Sequence, residues 1–530
     1  MRQTIIIATI LVVLSTSLMV AGCTGTTGMT TATAAGAAAD GVSAQTSSQA
    51  NTAPPPGGSL PGGNFTPSSG GMGPGGSPPD GMRPDGNSTT SSGGMGPGGV
   101  PPGGMMSGGN SSSSSGGIGP GGAPGGSSPG ASSYTFSGMY TLNGSSASET
   151  DGLYTSETQD ISAVYVTDGG NLNLVNPTIV TSGETSSNDA SSFYGLNAAV
   201  LANDGSTVTI TGGSISSSGS GANGAFPTGT GSTIILTDVD ISATGGGGHG
   251  VMATNGGILT LTDVDITTTG ANGAPLATDR GSGMVTATRG IVFASGRDSP
   301  GIYSTGIITV TDSIVTTTGS EAAVIEGFNS IILKNTTLTG GVEKTGGSMI
   351  YQSMSGDADA GTGTFTMTGG SYTSTAGPAF FVTNTNAVIT LTGVKVTSNS
   401  ATLIKAAGTD RWGTSGSNGG AVTFTADGEA LTGSLVTDSI SSIDATLKNN
   451  SSLTGSINSA ALTLDATSTW TVTGDSALTS LSDSRGISGT TITNIYGNGH
   501  MVTYDPGLAA NSALGGQTYS LANGGTLTPT

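Results

Sequence analysis

Charged side chains are scarce in this 530-residue chain: they make up 8% of it, against about a quarter in ordinary globular proteins. The 12 basic residues are outnumbered by 32 acidic ones, giving a net charge of −20. That balance provides no basic surface of the kind that binds nucleic acid, so no nucleic-acid partner is expected. A single cysteine excludes an internal disulfide framework. After residue 22 no stretch is apolar for long enough to span a bilayer.

Glycine and threonine are abundant instead, and they are organised by a six-residue phrase in which apolar residues alternate with Thr. The phrase occurs at 206–211 (STVTIT), 232–237 (STIILT), 257–262 (GILTLT), 283–288 (GMVTAT) and 306–311 (GIITVT). Its ends are 26, 25, 26 and 23 residues apart. A period of two is typical of a β-strand with one buried face.

Each phrase is followed by a second short apolar segment ending in Gly, and then by a third apolar patch. The second segments are ISATG (241–245), ITTTG (266–270) and IVTTTG (314–319), and the third are GVMA (250–253), GIYS (301–304) and AVIE (323–326). Three strands in 23–26 residues leave no room for a helix. The repeat predicts an all-β fold, a right-handed parallel β-helix whose stacked coils share one core. Over residues 160–500 this coil pattern resembles the superfamily that includes pectate lyases and polygalacturonases.

The third patches also predict a ladder of large side chains that stack about 4.8 Å apart in successive coils. The members are Val200, Phe226, Met252, Leu276, Tyr303, Ile325, Tyr351 and Phe381. An inward orientation, as core, is the favoured interpretation. An outward orientation, as an apolar stripe for sugar rings or a protein, stays open because the neighbouring residues are apolar too.

The N-terminus begins with Met1-Arg2 and an apolar stretch from 5 to 20, followed by VAGC (20–23). Small residues before a lone cysteine resemble the lipobox of prokaryotic lipoproteins. The resemblance implies that residues 1–22 are removed and that Cys23 carries a lipid. The lipid would then be the sole membrane anchor and the only cofactor, placing the protein in the cell envelope with its chain exposed to the exterior. An ordinary cleaved secretory signal is the alternative.

Residues 23–133 are rich in Ser, Thr, Gly and Pro and poor in aromatics, which predicts a disordered tether. The segment repeats SGGMGPGG at 69–76 and 92–99 and SGGIGPGG at 115–122. Asn64, Asn87 and Asn110 open Asn-x-Ser/Thr sequons, and whether they are glycosylated stays open.

Residues 134–420 are predicted to form the β-helix, and residues 421–530 its C-terminal coils and cap. In the latter segment the spacing tightens, as in LTGSL (431–435) and LTGSI (453–457). A phrase there resembles the C-terminal part of autotransporter adhesin passengers. It consists of Ser468, Trp470, Val472, Ser476 and Leu478. By this resemblance Trp470 would plug the open end of the core.

Three segments interrupt the coil pattern, at 184–194, 353–362 and 406–420, and are predicted to be loops that leave the solenoid. Such loops are where function tends to lie. The Gly-His-Gly at 248–250 matches that of polygalacturonases, but Asp238 and Asp240 lie in a turn of the same coil. Because Asn197 and Asn223 precede His249 at the same position, a polar ladder explains it. No catalytic residue and no metal site are predicted.

The best candidate for binding an acidic sugar is a patch of Arg280, Arg289 and Arg297 together with Asp279 and Asp298. Glu321 and Glu326 would border this patch. Solvated surface ion pairs are the alternative for all of these residues.

The functional expectation is a monomeric, lipid-anchored surface protein that adheres to glycans, surfaces or neighbouring cells without catalysis. The first alternative is a polysaccharide lyase or hydrolase of the same superfamily, which would need acids and bases converging from successive coils. The second is a structural envelope protein without a defined ligand.

Overall fold

The strands of this protein wind into a parallel β-helix, as the repeat predicts. The computed structural model describes residues 134–483 and 485–530. The predicted signal, the predicted lipidation site Cys23, the predicted tether and its three sequons lie outside the described residues. Up to residue 406 each coil contributes one strand to each of three rows, and every strand of a row pairs in parallel with the equivalent strand of the next coil.

The Thr phrases form the first row. Its strands are β2 (Ser146–Thr150), β5 (Asn171–Val175), β8 (Thr207–Thr211), β11 (Thr233–Thr237), β14 (Ile258–Thr262), β17 (Met284–Thr288), β20 (Ile307–Thr311), β23 (Ser330–Lys334), β26 (Thr362–Thr368), β29 (Thr385–Thr392), β32 (Gly420–Asp427) and β35 (Ser442–Lys448). The register is one-to-one from β5 to β35. Alternate residues such as Leu236 and Leu261 therefore stack in the core, while Thr237 and Thr262 stack at the surface.

The segments after the Thr phrases form the second row, a ten-stranded parallel sheet. Its strands are β3 (Leu153–Ser156), β6 (Thr178–Thr181), β9 (Ser214–Ser217), β12 (Asp240–Ala243), β15 (Asp265–Thr268), β18 (Ile291–Ala294), β21 (Ile314–Thr317), β24 (Thr337–Gly340), β27 (Ser371–Ser374) and β30 (Lys395–Ser398). The turn into this row needs a left-handed residue, at φ 55° for Asp238 and 54° for Asp263. Asp, Asn and Gly tolerate that conformation, which explains their recurrence there.

The apolar patches form the third row, which is buried on both faces from β4 to β28. Its strands are β1 (Gly138–Asn143), β4 (Ser162–Thr167), β7 (Val200–Ala202), β10 (Ala225–Pro227), β13 (Val251–Thr254), β16 (Leu276–Asp279), β19 (Ile302–Ser304), β22 (Ala323–Glu326), β25 (Ser348–Tyr351), β28 (Phe380–Thr383), β31 (Thr402–Ala406) and β34 (Ser434–Thr437). One face packs into the core. The other packs beneath segments that leave the solenoid.

The coils tighten toward the C-terminus because one strand begins to serve two rows: β37 pairs with both β34 and β35. The C-terminal strands are β33 (Ala430–Thr432), β36 (Ser452–Thr454), β37 (Ile457–Leu464), β38 (Thr469–Thr471), β39 (Ser476–Ser482), β40 (Ile487–Ser488), β41 (Thr491–Tyr496), β42 (Met501–Tyr504), β43 (Tyr519–Ala522) and β44 (Thr526–Pro529). A 3₁₀ helix, Ala509–Leu514, precedes the antiparallel pair β43–β44.

Trp470 is not the plug that the resemblance implies. Its side chain is completely buried in β38, where it stacks between Leu453 of β36 and Ile495 of β41. Its indole Nε1 donates a hydrogen bond to the Gly455 carbonyl at 2.9 Å. Since β41 and β43 continue the stack beyond it, Trp470 belongs to the continuous core.

Candidate functional site

The predicted ladder of large side chains is wrong as a single row, because it mixes the two faces of the third row. Val200, Leu276 and Ile325 belong to the core. The other members of the ladder, Phe226, Met252, Tyr303, Tyr351 and Phe381, belong to a separate cluster on the opposite face. The pairing register shows the offset: Phe226 lies beside Leu201, and Ala225 beside Val200.

We call the stack that contains Phe226 the outer row, because it lines the face of the third row opposite the core. In chain order it runs through Tyr165, Leu201, Phe226, Met252, Ala277, Tyr303, Val324, Met349, Phe381, Lys405, Val436, Asn458, Ala477 and Thr503. From Tyr165 to Phe381 every member is buried. From Lys405 onward the row mixes polar and apolar residues and is half-buried or exposed.

The first of three covering segments, predicted as a loop, contains a helix, α1 (Asn188–Tyr194), capped by the Ser187 side chain. Its Phe193 is buried, and the Phe193 carbonyl accepts a hydrogen bond from Thr254 Oγ1 at 2.8 Å. Gly195, at φ 76°, ends the helix so close to Phe226 that a Cβ there would lie 2.6 Å from the ring. Glycine is therefore required for this helix to approach the outer row.

The other two covering segments are the predicted loops. We call residues 352–361, between β25 and β26, the lid segment, because it folds back over the outer face of earlier coils. Residues 407–419, between β31 and β32, bring the Trp412 ring to 5.1 Å from the ring of Tyr351. The first segment thus precedes a strand of the third row, β7, and the other two follow strands of that row, β25 and β31.

Beneath the lid segment lies a group of carboxyl side chains, which we call the acidic cluster: Asp279, Glu326 and Asp357. Asp279 ends β16 and Glu326 ends β22, at the same position of their coils, and Asp357 comes from the lid segment. Their relative exposures are 1%, 1% and 5%, so the closed cluster is shielded from solvent.

The partners of the acidic cluster come from the outer face. Glu326 Oε2 accepts hydrogen bonds from the hydroxyls of Tyr303 and Tyr351, both at 2.8 Å. Arg280 Nη2 lies 2.5 Å from Asp357 Oδ1, and the guanidinium sits 3.6 Å from the centre of the Phe193 ring. Carboxylates, hydroxyls, a guanidinium and aromatic rings thus meet in one place, the mixture of groups found in ligand sites.

The electrostatics of the cluster follow from its burial. Burial raises the pKa of Asp279 well above its usual value, and the neighbouring carboxylates of Asp357 and Glu326 raise it further. Burial likewise raises the pKa values of the Tyr303 and Tyr351 hydroxyls, with Glu326 adding to both effects. The closed cluster therefore favours the protonated form of Asp279.

A second charged group lies at the opposite edge of the third row. Arg297 Nη1 lies 2.5 Å from Asp298 Oδ2. Burial raises the pKa of Asp298, with Glu321 adding to the shift, while Arg297 and Arg411 oppose it. Ser320 Oγ donates a hydrogen bond to Glu321 at 2.6 Å.

The structure does not bring the three arginines of the predicted patch together. Arg280, Arg289 and Arg297 occupy the turns after β16, β17 and β18, the three different corners of one coil. Arg289 pairs instead with Asp263 through two hydrogen bonds of 2.9 Å, and both side chains are exposed. Asp279 stays with Arg280, and Asp298 with Arg297, so the predicted patch divides into the two charged groups and a separate Arg289–Asp263 pair.

His249 stacks on Asn223, as the polar-ladder interpretation predicts. The Asn223 Oδ1 atom accepts the backbone N–H of His249 at 2.9 Å and lies 3.1 Å from its Nδ1. Burial lowers the pKa of His249 to about 4, so the ring is neutral over the ordinary pH range. The neutral ring contributes to the packing between coils.

An open groove of about 550 Å³ occupies the C-terminal part of the outer face. It is lined by Ala401, Thr402, Ser434, Val436, Ser456, Ile457, Asn458, Asp475, Ser476, Ala477, Met501 and Thr503. Val436, Asn458 and Ala477 are members of the outer row, so the groove continues the face whose earlier part is covered. Asp475 is exposed, with its Oδ1 3.6 Å from His500 Nδ1.

Within residues 134–483 and 485–530, no three His, Cys, Asp or Glu side chains are placed to hold a metal ion. In the same residues, no helix has the length and apolarity needed to cross a membrane. No protein-family model matches the chain, and no curated protein is similar to it in sequence.

Proposed function

We propose that this protein is a lipid-anchored cell-surface β-helix that binds a polysaccharide, without cleaving it, in the open groove of its C-terminal coils. The observation that carries the proposal is the continuity of the outer row into that groove. There Ser456, Asn458 and Asp475 offer hydrogen-bonding groups to sugar hydroxyls, and Ala477 and Met501 offer apolar surface to the face of a sugar ring.

The charge of the protein narrows the class of polysaccharide. A net charge of −20 repels acidic polymers, and the one charged lining residue of the groove is Asp475. A neutral polysaccharide, or one carrying amino sugars, is therefore the ligand that this groove favours. The VAGC motif at 20–23 supports anchoring through Cys23, and a rod on a tether would hold the groove away from the membrane.

The binding test uses the full chain and insoluble neutral, amino-sugar and acidic polysaccharides in a co-sedimentation assay. Ala477→Tyr places a bulky ring in the groove and should abolish binding. Thr446→Tyr, a matched control on the half-buried surface of the first row, should leave it intact. Equal binding by both variants would show that the ligand does not bind in the groove. No binding by the wild-type chain would favour a purely structural role.

The acidic cluster favours a second candidate function, a polysaccharide hydrolase of the same fold. Asp279 and Glu326 are acids on nearby coils, the arrangement that the sequence alone did not assemble, and Asp279 is held as a potential acid. Release of new chain ends from a polysaccharide, lost in Glu326→Gln, would establish this function. In the closed arrangement the three carboxyl groups are shielded from substrate, which favours binding over hydrolysis.

A further inference from the structure

We propose that the lid segment, residues 352–361, is a gate latched by the ion pair between Arg280 and Asp357, and that its opening exposes the acidic cluster. The inference goes beyond the proposed function, because the gate uncovers the acidic cluster and not the groove.

The latch crosses an unusual distance along the solenoid. Asp357 follows β25, yet its partner Arg280 follows β16, three coils earlier and 77 residues away in the chain. Asp357 is the deeply buried residue of the lid segment, at 5%, whereas the nearby Met354 is 78% exposed. One side chain thus holds a segment whose tip projects into solvent.

The remaining attachments lie at the two ends of the segment, near the coils from which it departs. The Phe328 N–H donates to the Asp359 carbonyl at 2.8 Å, and Asn384 Nδ2 donates to the Gln352 carbonyl at 2.8 Å. Ser353 Oγ donates to Glu326 Oε1. These contacts fix the hinges, so loss of the Asp357 contact would release the middle of the segment without detaching its ends.

The closed state also leaves hydrogen-bonding groups unsatisfied. Arg280 Nε and Gln352 Oε1 are buried without a partner. A buried polar atom without a partner costs free energy that solvent would restore on opening. Solvation of these two atoms would therefore favour the open state, and the Arg280–Asp357 ion pair opposes it.

The charges around Asp279 make the gate sensitive to pH. It faces the carboxylates of Glu326 and Asp357, the guanidinium of Arg280 and the hydroxyl of Tyr303, while the Tyr351 hydroxyl acts on Glu326. Loop 407–419 contributes Arg411, which acts on Tyr351, and α1 contributes the ring of Phe193. Because the pKa of Asp279 is raised in the closed state, closure is favoured at low pH and is lost as the pH rises through that pKa. Ionised Asp279 would repel Asp357 and weaken the latch.

Opening would uncover the acidic cluster, which lies on the earlier coils that the lid segment folds over. Asp279 and Glu326, each 1% exposed in the closed state, would become accessible. The Tyr303 and Tyr351 hydroxyls that donate to Glu326 would be uncovered with them. Carboxyl, hydroxyl and aromatic groups together form a surface suited to a polar ligand.

The test is hydrogen–deuterium exchange of the full chain without ligand, expressed as protection factors so that the intrinsic pH dependence of exchange is removed. Asp357→Asn should lower protection in 352–361 by about tenfold or more, the change expected for loss of one charge-assisted hydrogen bond. Asp359→Asn, an exposed carboxyl of the same segment, should have no effect. Equal effects of the two variants, or no effect of Asp357→Asn, would overturn the latch.

The wild-type chain supplies a second measurement that does not depend on the variant folding. Its protection in 352–361 should fall with rising pH while that of β14 and β17 stays constant, and Asp279→Asn should abolish the fall. A pH-independent lid segment would refute the control of the gate by Asp279. Because no ligand is present, these outcomes are separate from the sedimentation assay: a gate that opens beside a groove that binds nothing would remove the proposed function alone.

Discussion

Truncating Trp470 should destabilise the middle of the C-terminal coils, since this residue is part of the core and further coils stack beyond it. The indole is completely buried, and its Nε1–H bonds to the Gly455 carbonyl. Replacing a buried Trp by Ala typically costs about 3–5 kcal/mol. The carbonyl left without its donor adds about 1 kcal/mol to that cost. We therefore expect Trp470→Ala to lose about 4–6 kcal/mol of local stability.

The location of the loss distinguishes a core residue from a terminal plug. In a solenoid each coil contacts only its neighbours, so a cavity weakens the adjacent coils and spares distant ones. Trp470 stacks between Leu453 and Ile495, so β36 and β41 should lose protection against hydrogen exchange together. The strands β11 and β14, many coils away, should stay unchanged.

The matched variant is Trp470→Phe, which keeps an aromatic ring in the core and removes the N–H donor. It should cost less than the alanine variant, with the same distribution along the chain. Loss of protection confined to β43 and β44, with β36 unaffected, would contradict the placement of Trp470 in the continuous core. A loss below about 1 kcal/mol in Trp470→Ala would contradict the burial argument itself.

Two further predictions concern His249 and Cys23. The pKa of His249 is lowered by burial to about 4, below the usual value of 6.5, so the folded state binds fewer protons than the unfolded chain, and stability is lost as the pH falls from 6.5 to about 4. The loss of stability should approach about 3 kcal/mol. His249→Asn, which introduces the residue of the preceding coils, should remove this loss in denaturant titrations at pH 7 and 4. An unchanged pH dependence of stability in that variant would exclude His249 as the origin of the loss. Cys23→Ser should move the protein from the membrane fraction to the soluble fraction, and continued membrane retention would contradict the lipid anchor.

The sequence predicts the first row well and the third row poorly, for one physical reason. In β11 and β14 one face is core and the other is half-exposed, so Ile and Leu alternate with Thr and the orientation of each side chain can be read. In β13 and β16 both faces are buried, and the alternation disappears. Because the covering segments bury the outer face of the third row, polar residues no longer mark that face in the sequence. The predicted ladder mixed Val200 with Phe226 for this reason.

The acidic cluster escaped prediction for a different reason. Asp279 and Glu326 do share a position in their coils, and that signal was available from the repeat. Asp357 lies in an insertion, and no periodic pattern places an insertion over a coil 77 residues upstream. Grouping the arginines as residues of adjacent coils failed because Arg280, Arg289 and Arg297 follow three different strands of one coil.

The fold separates the part of each coil that maintains the stack from the part that can vary. Insertions enter next to the third row: α1 lies between β6 and β7, the lid segment between β25 and β26, and residues 407–419 between β31 and β32. Across the last two insertions the first row keeps its one-to-one register, from β23 to β26 and from β29 to β32. The first row therefore fixes the stacking of the coils, and the outer face of the third row is free to acquire covers, charged groups and a groove. This division explains why covering segments, buried acids and groove all meet on one face, and it makes that face the place to search for a ligand.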